Sequence, residues 1–396
     1  MMDSVQKAIL KILRAFLNNQ QNIRISESVD WKEFNHLVEI NSIAGIVGYV
    51  FRQSDVKEVP EKIIEKYRSE FLSTITITTV RDEDMKTLIT LMEDNGIDRL
   101  LFKGYVVKDL YTVPELRTFG DIDFAIHPED RKKCDKLLQQ NGYKSLDDWE
   151  PVYSYESEIE HYEVHTELLD SNLNEKADYR QYFKDFWDHS QKKDAHTYVL
   201  EPEYHLMFLL IHIAKHLYGS GAGIRMYLDI AFYLREYRDI IDWEHFQNEI
   251  AALKLSKFVN TVFTAVQEWF DIASPIPLEK PDSDFMERFL TFTLNGGVFG
   301  FEDKSSALTQ LRKNTSEGSV SRASTLLNRA FPPVKNLEAR YTYLQTKPWL
   351  LPAAWVHRFF KKKSTTAEDF RESKELLTTD TNEVVNITEL YRKIGI

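Results

Sequence analysis

The sequence predicts a mixed α+β protein: a small mixed β-sheet with crossover helices, preceded by a helical segment and followed by a helical domain. Three observations carry this. Only 14 glycines and 12 prolines occur in 396 residues, so breakers are scarce and long regular elements, mostly helices, are expected. Both ends of the chain place apolar residues at helical spacing. Between them lie short apolar or alternating runs bounded by turn residues, the pattern of strands. The expected divisions are a helical segment at 1–95, a sheet-bearing core at 96–200, a helical domain at 201–273 that packs on it, and a C-terminal helical region at 274–396.

In chain order, Ala8, Ile9, Ile12, Leu13, Phe16 and Leu17 predict a first helix. Helices are expected over Trp31–Phe51, weakened at Gly45 and Gly48, and over Ile63–Met92, stopped by Asn95-Gly96. Ile97–Phe102 reads as a buried strand, Gly104 to about Tyr111 as a helix, and Asp121–Ile126 as a second strand. Pro128 opens a helix that Asn141-Gly142 closes. Two strands follow near Val152–Tyr155 and Ile159–Leu168. Beyond Glu201-Pro202 the spacing turns helical over Tyr204–Leu217, Arg225–Tyr237, Trp243–Ala252 and Ser256–Phe270. Pro275, Pro277 and Pro281 mark a linker. A further helical region with a polar stretch near Asn314–Ser321 follows, and Lys361–Thr366 reads as a mobile charged segment.

The chemistry concentrates in Gly120-Asp121-Ile122-Asp123-Phe124. Side chains alternate along a strand, so Asp121 and Asp123 share a face while Ile122, Phe124 and Ile126 point to a core. Two carboxylates on one face are tolerable when a cation lies between them, and a hard divalent ion with oxygen ligands fits. In the later strand His161, Glu163, His165 and Glu167 share a face, so Glu163 can supply a third carboxylate. The same strand leaves a rival open: His161, Glu163 and His165 could hold a softer metal such as zinc, as in a metallohydrolase.

The run Leu101-Phe102-Lys103-Gly104, then Arg117 to Asp123, Asn141-Gly142-Tyr143 and Glu163-Val164-His165 resembles the uncharacterised bacterial nucleotidyltransferases called NTP_transf_5, within the superfamily that includes DNA polymerase β. The likeness spans roughly 95–240, with a fainter continuation at Phe331-Pro332-Pro333 and Lys347 to Pro352. It implies a nucleotidyltransferase sheet with flanking helices. It also implies Mg²⁺ (or Mn²⁺) bound by Asp121, Asp123 and Glu163, with Glu163 acting as ligand or as base. Lys103 and Gly104 would meet the triphosphate at a helix N-terminus. They stand as Lys-Gly where the superfamily usually has Gly-Ser, so the serine hydroxyl has no counterpart. Arg117 would clamp phosphate or balance the aspartates. His161 and His165 are auxiliary. His216, Arg225 and Asp229 would roof the site, or form a buried structural network. His212 and His216, four apart, share one helix face, as do Arg225 and Asp229, which can pair within their helix.

The resulting expectation is transfer of an NMP group from an NTP to a hydroxyl acceptor: a small molecule, a sugar, a protein or a tRNA. A non-catalytic nucleotide-binding or scaffold protein is the competing account. The net charge of −12 supplies no general basic field for nucleic acid or anionic lipid. Cys134 is the only cysteine, so no internal disulfide forms. The start shows no basic region followed by an apolar run, and the apolar stretch Leu206–Ala214 is too short to span a bilayer. A cytoplasmic protein is expected.

Overall fold

The computed structural model describes residues 2–298 except 26, 27, 55, 57, 170–172, 174–176 and 220, and beyond them 311, 315, 316, 319, 320, 322–334, 337, 341, 343–361, 376, 378 and 380–396. The chain forms two compact units. One comprises Met1–Leu217 and Gly221–Gly300 with Gly395; the other comprises Phe301–Ile394 with Tyr218–Ser220 and Ile396. Among the described residues no helix is long and apolar enough to cross a membrane.

The first unit opens with α1 (Ser4–Leu17), whose capping box is reciprocal: Asp3 accepts from the Gln6 amide and the Gln6 side chain accepts from the Asp3 amide. The single helix expected over Trp31–Phe51 is instead α2 (Trp31–Ile40) and α3 (Ala44–Gln53). The glycines do not make that break. Ser42 turns the chain at φ 52°, and buried Asn41 donates to the Leu37 and Leu294 carbonyls and accepts from the Ile224 amide. Gly45 and Gly48 serve close packing: a Cβ on Gly48 would lie 2.0 Å from the Tyr67 carbonyl oxygen on α4 (Glu61–Asp94). This 34-residue helix continues onto the sheet, where Met85, Leu88 and Met92 are fully buried.

The mixed fold is confirmed by one seven-stranded sheet. Its strands are β1 (Arg99–Leu101), β2 (Ile122–Ile126), β3 (Lys144–Trp149), β4 (Val152–Glu156), β5 (His161–His165), β6 (Ser190–Lys192) and β7 (Thr197–Leu200), in the order β3-β4-β5-β2-β1-β7-β6. β1 is antiparallel to β2 and parallel to β7, and β2 is parallel to β5. Short helices α5 (Gly104–Val107) and α6 (Arg131–Gln140) lie between strands. Ile122, Phe124, Tyr155, Tyr162 and Val164 join Met85, Leu88, Met92, Cys134 and Leu138 in one core. On the other face, Phe102 meets His165 edge-on at 5.1 Å and Phe208 at 5.2 Å.

Phe208 belongs to α8 (Pro202–Gly219), which follows the small α7 (Tyr179–Tyr182) and precedes α9 (Ile224–Tyr237), α10 (Trp243–Ala252), α11 (Ser256–Phe270) and α12 (Ser283–Gly296). The proline-marked linker lies between α11 and α12. In the second unit, the polar stretch near Asn314–Ser321 carries a two-stranded ribbon, Thr315–Ser316 with Ser319–Val320. Helices Arg322–Ala330, Leu351–Lys361 and Thr381–Ile394 follow. Of the expected mobile segment, residues 362–366 lie outside the described residues.

Candidate active site

The parallel pairing of β2 with β5 sets Asp123 opposite Glu163 and Ala125 opposite His165. Alternation then turns Asp123, Glu163 and His165 to the face away from the Phe124–Val164 core. One oxygen of Asp123, one of Glu163 and a ring nitrogen of His165 all lie within 4.8 Å of one another. His165 Nε2 is 3.0 Å from Asp123 Oδ1 and 3.5 Å from Glu163 Oε2. The Lys103 ammonium pairs with Asp123 and stands 3.9 Å from Glu163.

Lys103 caps α5 at φ 56° and ψ −140°, a conformation that L side chains rarely adopt and that concentrates at functional sites. Burial opposes its charge, but Asp123, Glu163 and Asp121 outweigh it and raise the Lys103 pKa. Burial likewise works against ionised Asp123, yet Lys103 and His165 hold that carboxyl below its ordinary value. Asp121 goes the other way. Its burial and the neighbouring Asp123 charge raise its pKa.

Two carboxylates and an imidazole form a donor set that fits a divalent cation of the Mg²⁺ or Mn²⁺ class, the nitrogen favouring the softer ion. His165 Nδ1 is buried without a hydrogen-bond partner. Asp121 is half-buried; it is not one of the three residues whose ligand atoms converge, and the Asp123 and Glu163 charges act on it. His161 is outside the group. Its charge acts on Asp121; of the rival His161-Glu163-His165 set only Glu163 and His165 converge among the described residues, with Asp123 as the third member.

Arg117 lies elsewhere in the network. It forks onto Asp229, with Nε to Oδ1 at 3.2 Å and Nη2 to Oδ2 at 2.7 Å, and Tyr111 adds a third bond to Oδ1 at 2.7 Å. The expected intrahelical pair of Arg225 with Asp229 therefore does not form: Asp229 is taken by Arg117, and Arg225 Nη1 donates to Thr118 Oγ1 at 2.5 Å. The close approach that Gly104 permits is that of Arg117, whose Nη1 would lie 2.1 Å from a Cβ there. α8 presents His212 and His216 with their Nε2 atoms 3.2 Å apart. Burial, then Lys103, lowers the His216 pKa to about 4. His212 is held well below its ordinary value by burial and by His216, with Lys103 and Asp123 also acting on it.

Two further residues matter here that motif reasoning missed. Arg81 on α4 donates to the Phe119 carbonyl, and its Nη2 bonds Glu160 Oε1 at 3.0 Å. Arg81 thereby ties the turn before Asp121 to the residue just before β5. The Glu160 side chain is fully buried, and burial lifts its pKa to about 7 against the His161 amide and Arg81. Neither residue sits in a recognisable motif, so no sequence signal marks them.

The sequence profile of a family described as uncharacterised nucleotidyltransferases (NTP_transf_5) matches residues 27–271, well over half of the chain. The chain belongs to that family. The matched region takes in α2, α3 and α4 as well as the sheet and α8–α11, so the family profile extends over helices that precede and follow the strands. No curated protein matches the chain.

Proposed function

We propose that this protein is a Mg²⁺-dependent nucleotidyltransferase that moves an NMP group from an NTP to a hydroxyl acceptor and releases pyrophosphate. The observation that carries the reading is the register of β2 on β5, which sets Asp123 beside Glu163 with Lys103 against both. Membership of the family supports it. Asp123, Glu163 and Asp121 would hold the ion, with His165 beside them and Mn²⁺ acceptable in its place. When bound, the ion neutralises charge that develops on the leaving pyrophosphate.

The chain's own groups divide the remaining work. Lys103 balances Asp123 and Glu163 and places a point charge for the triphosphate. Glu163, half-buried, is the candidate base for the acceptor hydroxyl, a role that requires hydrogen-bond reach to that proton. His165 orients Asp123 through its Nε2 contact. His161 and His216 flank the group. A small molecule, a sugar, a protein side chain or a tRNA end would each offer the hydroxyl.

The test is pyrophosphate release and label transfer from labelled NTPs to components of a cell extract, with Mg²⁺ and with Mn²⁺. Asp123→Asn and Asp121→Asn should each reduce transfer by about a thousandfold, in line with losing a charge that stabilises the transition state; Asp121→Asn should melt near the wild-type temperature, and Asp123→Asn lower but still folded, because it leaves the buried Lys103 ammonium without its closest carboxylate. Near-wild-type transfer by either folded variant would remove that residue from the ion site.

A further inference from the structure

One buried cation has no counter-charge of its own. Arg225, near the start of α9, is 6% exposed. The carboxylate four residues on, Asp229, already accepts two bonds from Arg117 and one from Tyr111, so that Arg117 and Asp229 cancel. Arg225 donates from Nη1 to Thr118 Oγ1, and the Thr118 hydroxyl in turn donates a hydrogen bond to the Ser42 carbonyl at 3.3 Å. Nε of Arg225 is buried with no acceptor, and among the described residues no carboxylate pairs with the guanidinium. Burial and the charge of Arg117 lower its pKa to about 10.

A buried charge lacking a partner is costly, and a guanidinium offers five N–H groups in a fixed fork that matches a phosphate. The surroundings say where such an anion would sit. Thr118, which Arg225 grips, is three residues before Asp121. The Asp121 charge acts on Arg225, and both Arg225 and Lys103 act on His216. Arg225 and Lys103 thus bring positive charge from two elements, α9 and the β1–α5 turn, to the neighbourhood of the acid group.

We infer that Arg225 is the guanidinium that receives a phosphate group of the nucleotide, the role the sequence suggested for Arg117. This deepens the transferase reading and rests on it for the identity of the ligand. The anion site itself is testable with inorganic tripolyphosphate.

The experiment compares the full-length protein with Arg225→Met and Arg225→Lys, by melting temperature without ligand and by calorimetry with tripolyphosphate. Because Arg225→Met removes an uncompensated buried charge, it should melt at or above the wild-type temperature. Its tripolyphosphate affinity should fall by about tenfold or more, as expected for loss of a bidentate charged contact. Arg225→Lys, which keeps the charge and loses the fork, should fall between. The inference is overturned if wild type binds no tripolyphosphate, if Arg225→Met melts much lower or does not fold, or if both variants bind as wild type does. The two readings fail separately. Tripolyphosphate bound through Arg225, with no NTP giving pyrophosphate, would keep the anion site and remove the transferase. Transfer with an unchanged KM for NTP in Arg225→Met would do the reverse.

Discussion

A Cβ on Gly104 would lie 2.1 Å from Arg117 Nη1 and 2.7 Å from its Cζ, so alanine at 104 must displace the guanidinium from Asp229. Breaking a buried ion pair leaves an uncompensated charge, and we predict that Gly104→Ala destabilises the protein by about 3 kcal/mol. Arg117→Ala should cost a similar amount. The double variant should cost far less than the sum, because both changes break one interaction. Additive losses in urea melts would show that Gly104 acts through something else. At this scale the alternation along two strands was enough to place Asp123, Glu163 and His165 on one face, with Lys103 nearby, because a strand's period is local information. The partner of Arg117 was not legible. Asp229 lies 112 residues away, and only the packing of α9 against the β1–α5 turn brings it in. The sequence offered Arg225 to Asp229 at helical spacing, and the fork geometry of Arg117 with Tyr111 displaced that choice.

Helix α8 carries three histidines, His205 buried and His212 and His216 half-buried. His205 is pushed down to about 3 by burial, against the Asp229 charge; His216 is at about 4; and His212 is well below 6.5. Each is neutral in the folded protein and binds a proton in the unfolded chain near its ordinary value of 6.5. Between that value and about 4 the unfolded state therefore holds more protons, so stability falls as pH falls through the window. We predict that the urea midpoint drops between pH 7 and pH 5, and that His205→Leu shrinks the drop. An identical drop in wild type and variant would exclude His205 as a source of the acid sensitivity. The helices α8 to α11 were readable because each holds its apolar period over ten residues or more. β3, β6 and β7 were not. β3 is a polar edge strand, Lys144-Ser145-Leu146-Asp147-Asp148-Trp149, and β6 and β7 have only 3 and 4 residues. β7 pairs in parallel with β1, a partner almost a hundred residues earlier that no local pattern announces.

In the first unit the N-terminal helices bond to helices that follow the sheet. Gln6 on α1 bonds Thr291 on α12 at 2.8 Å, and Arg14 donates to the Trp269 carbonyl at 2.7 Å. Phe16 packs within 6 Å of both Tyr111 and Phe232. Asn41 is the most constrained of these links: its amide nitrogen serves the Leu37 and Leu294 carbonyls, and its oxygen serves the Ile224 amide at the start of α9. Sequence reading anticipated helices at both ends but not that they interlock, since the bonds of Gln6, of Arg14 and of Asn41 to Leu294 and Ile224 each span 183 residues or more of chain. The consequence is cooperativity. Replacing Asn41 with alanine leaves the Leu294 carbonyl and the Ile224 amide buried and unpaired, which should cost about 2 kcal/mol or more. The loss should reach the whole unit rather than free α1–α3 alone, because Arg225 and Asp229 follow Ile224 on the same helix and reach back to Thr118 and Arg117 beside the acid turn. Hydrogen exchange read by mass spectrometry decides this. If the interlock holds, amides of α1, of β2 and of α9 should lose protection together in Asn41→Ala, by comparable free energies. Protection lost in α1–α3 while β2 and β5 stay protected would mean that the N-terminal helices are a dispensable shell. The geometry of the acid group would then be set by the sheet and α8 without them.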